Sequence, residues 1–206
     1  VPVLPLPNVT LTGLEDVCIS NFQYELGNGA PEGGIYSGDG VYISSGTYYL
    51  DASGYENNEI AEIIYTYTDE NSCTNTDNDF ITILPLPVVE FNTTDNVVCI
   101  NEGVVNLVGG SPSGGEYTGP GVTDGTFDPD TPESGLGEHV IKYTYTDGNG
   151  CSNFKNKTYE VVDLPQVTFG AFPTVCAGED FIELNQASPE GGAYSGPGVS
   201  SGKFYP

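Results

Sequence analysis

Arginine, methionine and tryptophan are missing from this sequence, lysine occurs four times (Lys142, Lys155, Lys157, Lys203) and histidine once. Set against 29 acidic residues, these leave a formal charge of −25. A chain so acidic repels phosphate backbones and anionic lipid headgroups, so no nucleic-acid partner is expected. No run of 18 apolar residues exists, which excludes a transmembrane helix, and no membrane insertion is expected. The opening VPVLPLPNVT has neither a basic n-region nor an apolar h-region, so no signal peptide is visible. CxxC pairs and Cys/His clusters are also missing, which speaks against zinc.

What is present points to β structure: Tyr, Thr, Val and Ile are plentiful, and Gly and Pro are frequent. The excess of carboxylates suits an exposed β-rich protein that must stay unaggregated. A tandem repeat organises the chain. GGIYSGDGV from Gly33, GGEYTGPGV from Gly114 and GGAYSGPGV from Gly191 are near-copies. Cys18, Cys99 and Cys176 keep the same separations, 81 and 77 residues. YTYTDENSC (Tyr65 to Cys73) and YTYTDGNGC (Tyr143 to Cys151) lie 78 apart. LPLPNVTL, LPLPVVEF and DLPQVTF open the copies, and their prolines predict short, stiff linkers. The expected division is 1–85, 86–163 and 164–206. Pro206 aligns with Pro129, so the third copy stops about 34 residues short. The expectation is a piece from within a longer array, with strands donated by another chain as the alternative.

Inside a copy the period is two. Ile63, Tyr65 and Tyr67 share one strand face and Ile141, Tyr143 and Tyr145 the equivalent one, predicting a tyrosine face toward a core and a Thr/Lys face toward water. Val88–Phe91, Val104–Leu107, Gly125–Phe127 and Tyr159–Val162 are further predicted strands. About seven short strands in 80 residues predict an all-β fold: tandem immunoglobulin-like β-sandwich domains forming an extended rod. In the repeated motif the slot before tyrosine varies (Ile35, Glu116, Ala193), whereas Tyr36, Tyr117 and Tyr194 do not, so the tyrosine is predicted to face inward. The Gly pair allows a bulge or a close backbone approach. Gly38, Gly119 and Gly196 then open a turn in which Gly40, Gly121 and Gly198 supply the positive φ of type II geometry. The motif is read as a structural corner rather than a ligand loop.

Cys18 with Cys73 and Cys99 with Cys151 are spaced nearly equally, 55 and 52 residues. One disulfide in each copy is the expectation, in an oxidising extracellular setting. A cysteine just before strand B of such a sandwich lies at the opposite end from the last hairpin turn. A bond between neighbours, such as Cys18–Cys151, is therefore the alternative.

The cysteine near each copy's start, GGxYxGxGV, and YTYTDGNGC before the last strand resemble the tandem immunoglobulin-like or PKD-like repeats of giant Bacteroidetes cell-surface proteins, gliding adhesins of flavobacteria among them. The resemblance covers both complete copies and the third. It implies type IX secretion, cell-surface attachment and a stalk role in adhesion or gliding motility. Its implied partners are neighbouring repeats, surface polysaccharide or other filament subunits. Copy one departs from the pattern at Asp39, Glu70 and Ser72.

Chemistry-bearing residues are few. His139 begins a predicted strand in GEHVIKY, has no counterpart in copy one, and is expected to face solvent; no enzyme activity is expected. Asp147 and Asn149 in DGNG, and Asp128 and Asp130 in FDPDTP, are weak Ca²⁺ candidates, the first pair fitting a hairpin turn better. No other cofactor is expected. Asn8, Asn92 and Asn156 head N-glycosylation sequons. The leading expectation is a structural stalk. A glycan-binding module using Tyr48, Tyr49 or Tyr159, or a non-catalytic appendage of a secreted hydrolase, are the alternatives.

Overall fold

The computed structural model describes residues 3–206, and its fold is all-β. The first copy contributes β1 (Thr10–Leu11), β2 (Val17–Cys18), β3 (Tyr24–Leu26), β4 (Gly29–Ala30), β5 (Ile35–Ser37), β6 (Val41–Ser44), β7 (Thr47–Leu50), β8 (Ile60–Thr68) and β9 (Thr74–Leu84). The second repeats this plan as β10 (Glu90–Phe91), β11 (Val97–Cys99), β12 (Val105–Asn106), β13 (Gly110–Ser111), β14 (Glu116–Thr118), β15 (Val122–Thr123), β16 (Thr126–Phe127), β17 (Gly137–Thr146) and β18 (Ser152–Val162). The third has β19 (Thr168–Phe169), β20 (Ile182–Glu183), β21 (Ala187–Ser188), β22 (Val199–Ser200) and β23 (Lys203–Phe204). The X–Pro bonds at Pro31, Pro112 and Pro189 are cis in all three copies.

In each complete copy a long two-stranded ribbon, β8–β9 or β17–β18, is the centre of a four-stranded sheet. The orders are β2-β9-β8-β5 and β11-β18-β17-β14, with β2 parallel to β9 and β11 parallel to β18. A three-stranded sheet, β3-β7-β6 or β12-β16-β15, and a short pair, β1-β4 or β10-β13, complete the copy. The inward faces meet in one core per copy. Ile63, Tyr65, Ile81 and Ile83 of the first ribbon pack with Leu11, Leu26 and Leu50. Ile141, Tyr143, Tyr159 and Val161 of the second pack with Phe91, Leu107 and Phe127. The tyrosine face of the ribbon therefore points inward, because period-two alternation puts its apolar set on one side.

The ribbon's second strand is longer than expected. Tyr159–Val162 extends back to Ser152, and its counterpart begins at Thr74. These segments, SNFKNK and TNTDND, carry few of the apolar residues by which strands are recognised. Their polar side chains bind backbone instead. The Asp77 carboxylate accepts the Leu11 N–H at 2.8 Å and Asp79 that of Leu14 at 3.2 Å. In the second copy lysines stand at both places, and Lys157 donates to the Thr93 carbonyl at 3.1 Å. The other predicted strands are shorter than expected, at Glu90–Phe91, Val105–Asn106 and Thr126–Phe127.

Candidate functional site

The distinctive chemistry of the chain lies where one copy meets the next. Cys18 is bonded to Cys151, with Cα atoms 5.5 Å apart, across a sequence separation of 133 residues. This corrects the expected pairing of Cys18 with Cys73 and of Cys99 with Cys151, and matches the alternative between neighbours. The reason is the length of the ribbon. Cys18 lies in register beside Leu84 at the end of β9, whereas Cys73 directly precedes Thr74 at its start. A strand of 11 residues, at about 3.3 Å each, holds the two about 36 Å apart. A disulfide tolerates a Cα separation of about 7 Å at most. Cys99 beside Val162 and Cys151 before Ser152 are separated in the same way. Cys73, Cys99 and Cys176 are free thiols.

The ribbon's turn end is built to receive such a bond. The Asp147 carboxylate accepts the N–H groups of Asn149 and Cys151, both at 2.9 Å, and the Asp147 N–H donates to the Cys151 carbonyl at 3.0 Å. Asn153 donates to the Pro87 carbonyl at 2.9 Å, so the ribbon end is tied to the proline linker. The first copy repeats every part: Asp69 accepts from Asn71 and Cys73 at 2.9 and 2.8 Å, and Asn75 donates to the Pro7 carbonyl at 2.9 Å. Cys151 is fully buried in its bond, whereas Cys73 is half-buried and free.

At the ribbon's flank stands the repeated corner. Tyr36 and Tyr117 point inward, while Ile35 and Glu116 before them are exposed. The Tyr36 hydroxyl accepts the Gly29 N–H at 2.6 Å, Tyr117 that of Gly110 at 2.8 Å, and Tyr194 that of Ala187 at 2.7 Å. A second tyrosine, from the ribbon, lies against the first with ring centroids 4.7 Å apart in both complete copies. Its hydroxyl closes the corner: Tyr65 donates to the Pro31 carbonyl and accepts from Gly34, and Tyr143 does the same with Pro112 and Gly115. Of the two roles open to the glycine pair, close approach is the one used. A Cβ on Gly34 or Gly115 would lie 2.6 Å from that tyrosine oxygen. The following turn has Gly40, Gly121 and Gly198 at φ of 69°, 68° and 74°, with Gly38, Gly119 and Gly196 carbonyls accepting from the valine three residues on. That is type II geometry. The ribbon tyrosine's part in the corner was not anticipated, although YTYT accompanies GGxY in both complete copies.

The remaining candidates occupy structural places. Asp147 and Asn149 form the turn just described, and the Asp128 carboxylate accepts the Asp130 N–H at 3.0 Å. Among the described residues no three His, Cys, Asp or Glu side chains gather into a metal-binding group. Two of the proposed glycan-contacting tyrosines belong to the interior. Tyr159 is 2% exposed in the second core, and Tyr48 packs on the first, its ring 5.4 Å from that of Tyr36. Tyr49 is half-buried beside Tyr42. His139, expected at the solvent face, shares the inward parity of Ile141 and Tyr143. It is half-buried, with Nε2 2.5 Å from the Gly135 carbonyl and its ring 6.3 Å from Phe127. Asn8, Asn92 and Asn156 are exposed. No protein-family model and no curated protein matches the chain. No helix among the described residues is long and apolar enough to cross a membrane.

Proposed function

We propose that the chain is a run of structural stalk repeats from a large secreted cell-surface adhesin or filament. The observation that carries this reading is the Cys18–Cys151 bond, which ties one copy to the next instead of closing a loop inside either. A protein whose task is to bear tension gains from covalent joints between units. A binding or catalytic module has no such need.

The domains are immunoglobulin-like, at 1–85, 86–163 and 164–206. Support comes from the strand order: an early strand parallel to the last one, an antiparallel ribbon beside it, and a second three-stranded sheet opposite. Proline linkers together with the cross-joint disulfide favour an extended rod. The bond also suits an extracellular, oxidising location. Export by type IX secretion, a part in adhesion or gliding, and contact with surface polysaccharide or other filament subunits follow from the sequence resemblance and belong to the same reading. Catalysis has no place in this reading.

Single-molecule stretching tests it. With the bond intact, the 133-residue separation it spans is shielded from load. Reduction should release about 45 nm of additional contour length, at roughly 3.4 Å per residue. Equal extension with and without reductant would remove the mechanical basis of the proposal.

A further inference from the structure

The hairpin β6–β7 of the first copy is built differently from its counterpart β15–β16. The Asp51 N–H donates to the Gly40 carbonyl and the Asp128 N–H to that of Gly121, both at 2.9 Å, which sets the two hairpins in one frame. The first spans 11 positions from Gly40 to Asp51 and the second 7 from Gly121 to Asp128, a difference of four. In this frame the buried Leu50 and Phe127 are equivalent, as the cross-strand partners of Tyr24 and Val105. The residue before each alternates to the outer face of the three-stranded sheet. In the first copy it is Tyr49, flanked by Glu25 and Tyr42; in the second it is Thr126, flanked by Asn106 and Thr123. The same scaffold therefore forms with threonines where the first copy carries exposed rings, and the rings are not a requirement of the fold.

Their geometry is that of a platform. Tyr42 stands on β6 and Phe22 two residues ahead of β3, with β7 between those strands. The Tyr42 hydroxyl donates to the Phe22 carbonyl at 2.9 Å, so its ring lies across β7 with one face toward solvent. The Tyr49 ring is 5.7 Å away and inclined by 31°, close to a common plane. Phe22, 67% exposed, adds a third ring at the far end. Glu25 and the paired Ser44 and Thr47 border the rings on the same face with a carboxylate and two hydroxyls.

Area and charge narrow the occupant. The three rings together expose on the order of 250 Å². A standard protein interface takes about 800 Å² from each partner, so the platform is too small for a second copy or another folded protein. Residues 1–85 contain 13 carboxylate side chains and no Lys, Arg or His, which repels anionic polymers. Rings bordered by hydrogen-bond acceptors match an uncharged ligand that has apolar C–H faces and many hydroxyl donors.

We propose that the outer face of β3-β7-β6 in the first copy binds a neutral polysaccharide. C–H groups on the faces of successive sugar rings, slightly positive, lie on the negative faces of Tyr42, Tyr49 and Phe22. Sugar hydroxyls donate to the Glu25 carboxylate and exchange hydrogen bonds with Ser44 and Thr47. The second copy, with Thr123 and Thr126 at the same places, is a spacer that lacks the site.

Native affinity electrophoresis of the full 206-residue chain tests this, in gels containing laminarin, lichenan, galactomannan or pullulan, with alginate as the anionic contrast. At least one neutral polymer should retard the chain, and alginate should not. The Tyr42→Thr/Tyr49→Thr chain takes the residues that the second copy tolerates, and its affinity for the retarding polymer should fall at least about tenfold, as loss of anchoring rings does. Phe22→Ala, which keeps the carbonyl that receives Tyr42, should weaken binding several-fold with an unchanged melting curve. Thr123→Ala/Thr126→Ala should bind as the wild type does. Retardation by none of the four neutral polymers, by alginate alone, or equally in the wild-type and ring-deleted chains would overturn the proposal. It does not rest on load bearing: a chain that binds but shows no reduction-dependent extension keeps this site and loses the stalk.

Discussion

Replacing Cys151 by serine removes the bond across the joint, and the structure sets the size of the effect. Cys18 lies beside Leu84, at the last strand residue before the linker, so the second copy can unfold while the first still holds Cys18 in place. The loop that the bond then closes runs from Leu84 to Cys151, about 67 residues. Loop-closure entropy for that length corresponds to about 4 kcal/mol. A domain of about 80 residues has a total stability of roughly 4–12 kcal/mol, so the loss is large. In two-state denaturation followed by tyrosine fluorescence, Cys151→Ser should lower the second copy's stability by about 4 kcal/mol and its melting temperature by more than about 15 °C. Adding a reductant to the wild-type chain should reproduce the shift. Cys73→Ser should change stability by less than about 0.5 kcal/mol, because that thiol is free in this chain. If Cys73→Ser proved as damaging as Cys151→Ser, the pairing and the loop estimate built on it would both be refuted.

Two further outcomes follow from the corner and the cores. Tyr117→Ala removes a ring packed on Phe91 and Tyr143 together with the Gly110 hydrogen bond, and should cost about 3 kcal/mol or more, whereas exposed Glu116→Ala should be nearly silent in the same melting assay. Burial raises the Tyr36 and Tyr159 hydroxyl pKa values above the ordinary value near 10. A raised folded-state pKa contributes stability that is complete below the unfolded value and lost above it, so melting temperature should fall as pH rises beyond about 10, tracked by tyrosinate absorbance.

The repeat landmarks made much of the fold legible. Alternation in IIYTYTD marks which face of β8 is buried, and the invariant tyrosine beside a variable slot marks the inward residue of the corner. Two things were hidden for identifiable reasons. TNTDND and SNFKNK carry little apolar period because Asp77, Asp79 and Lys157 bind backbone groups of a neighbouring segment, so the ribbon's second strand looked like loop. That underestimated length concealed the distance between Cys18 and Cys73, and equal spacing within copies then favoured the wrong partner. Tyr159 and His139 show the same cause. Their inward parity is set by a ladder that extends through the whole of β17 and β18, which a four-residue strand does not reveal.

Disulfide mapping of the unreduced, alkylated chain bears most directly on the cross-joint clamp. Proteolytic fragments should contain Cys18 linked to Cys151, with Cys73, Cys99 and Cys176 alkylated. Fragments linking Cys18 to Cys73 and Cys99 to Cys151 would contradict it.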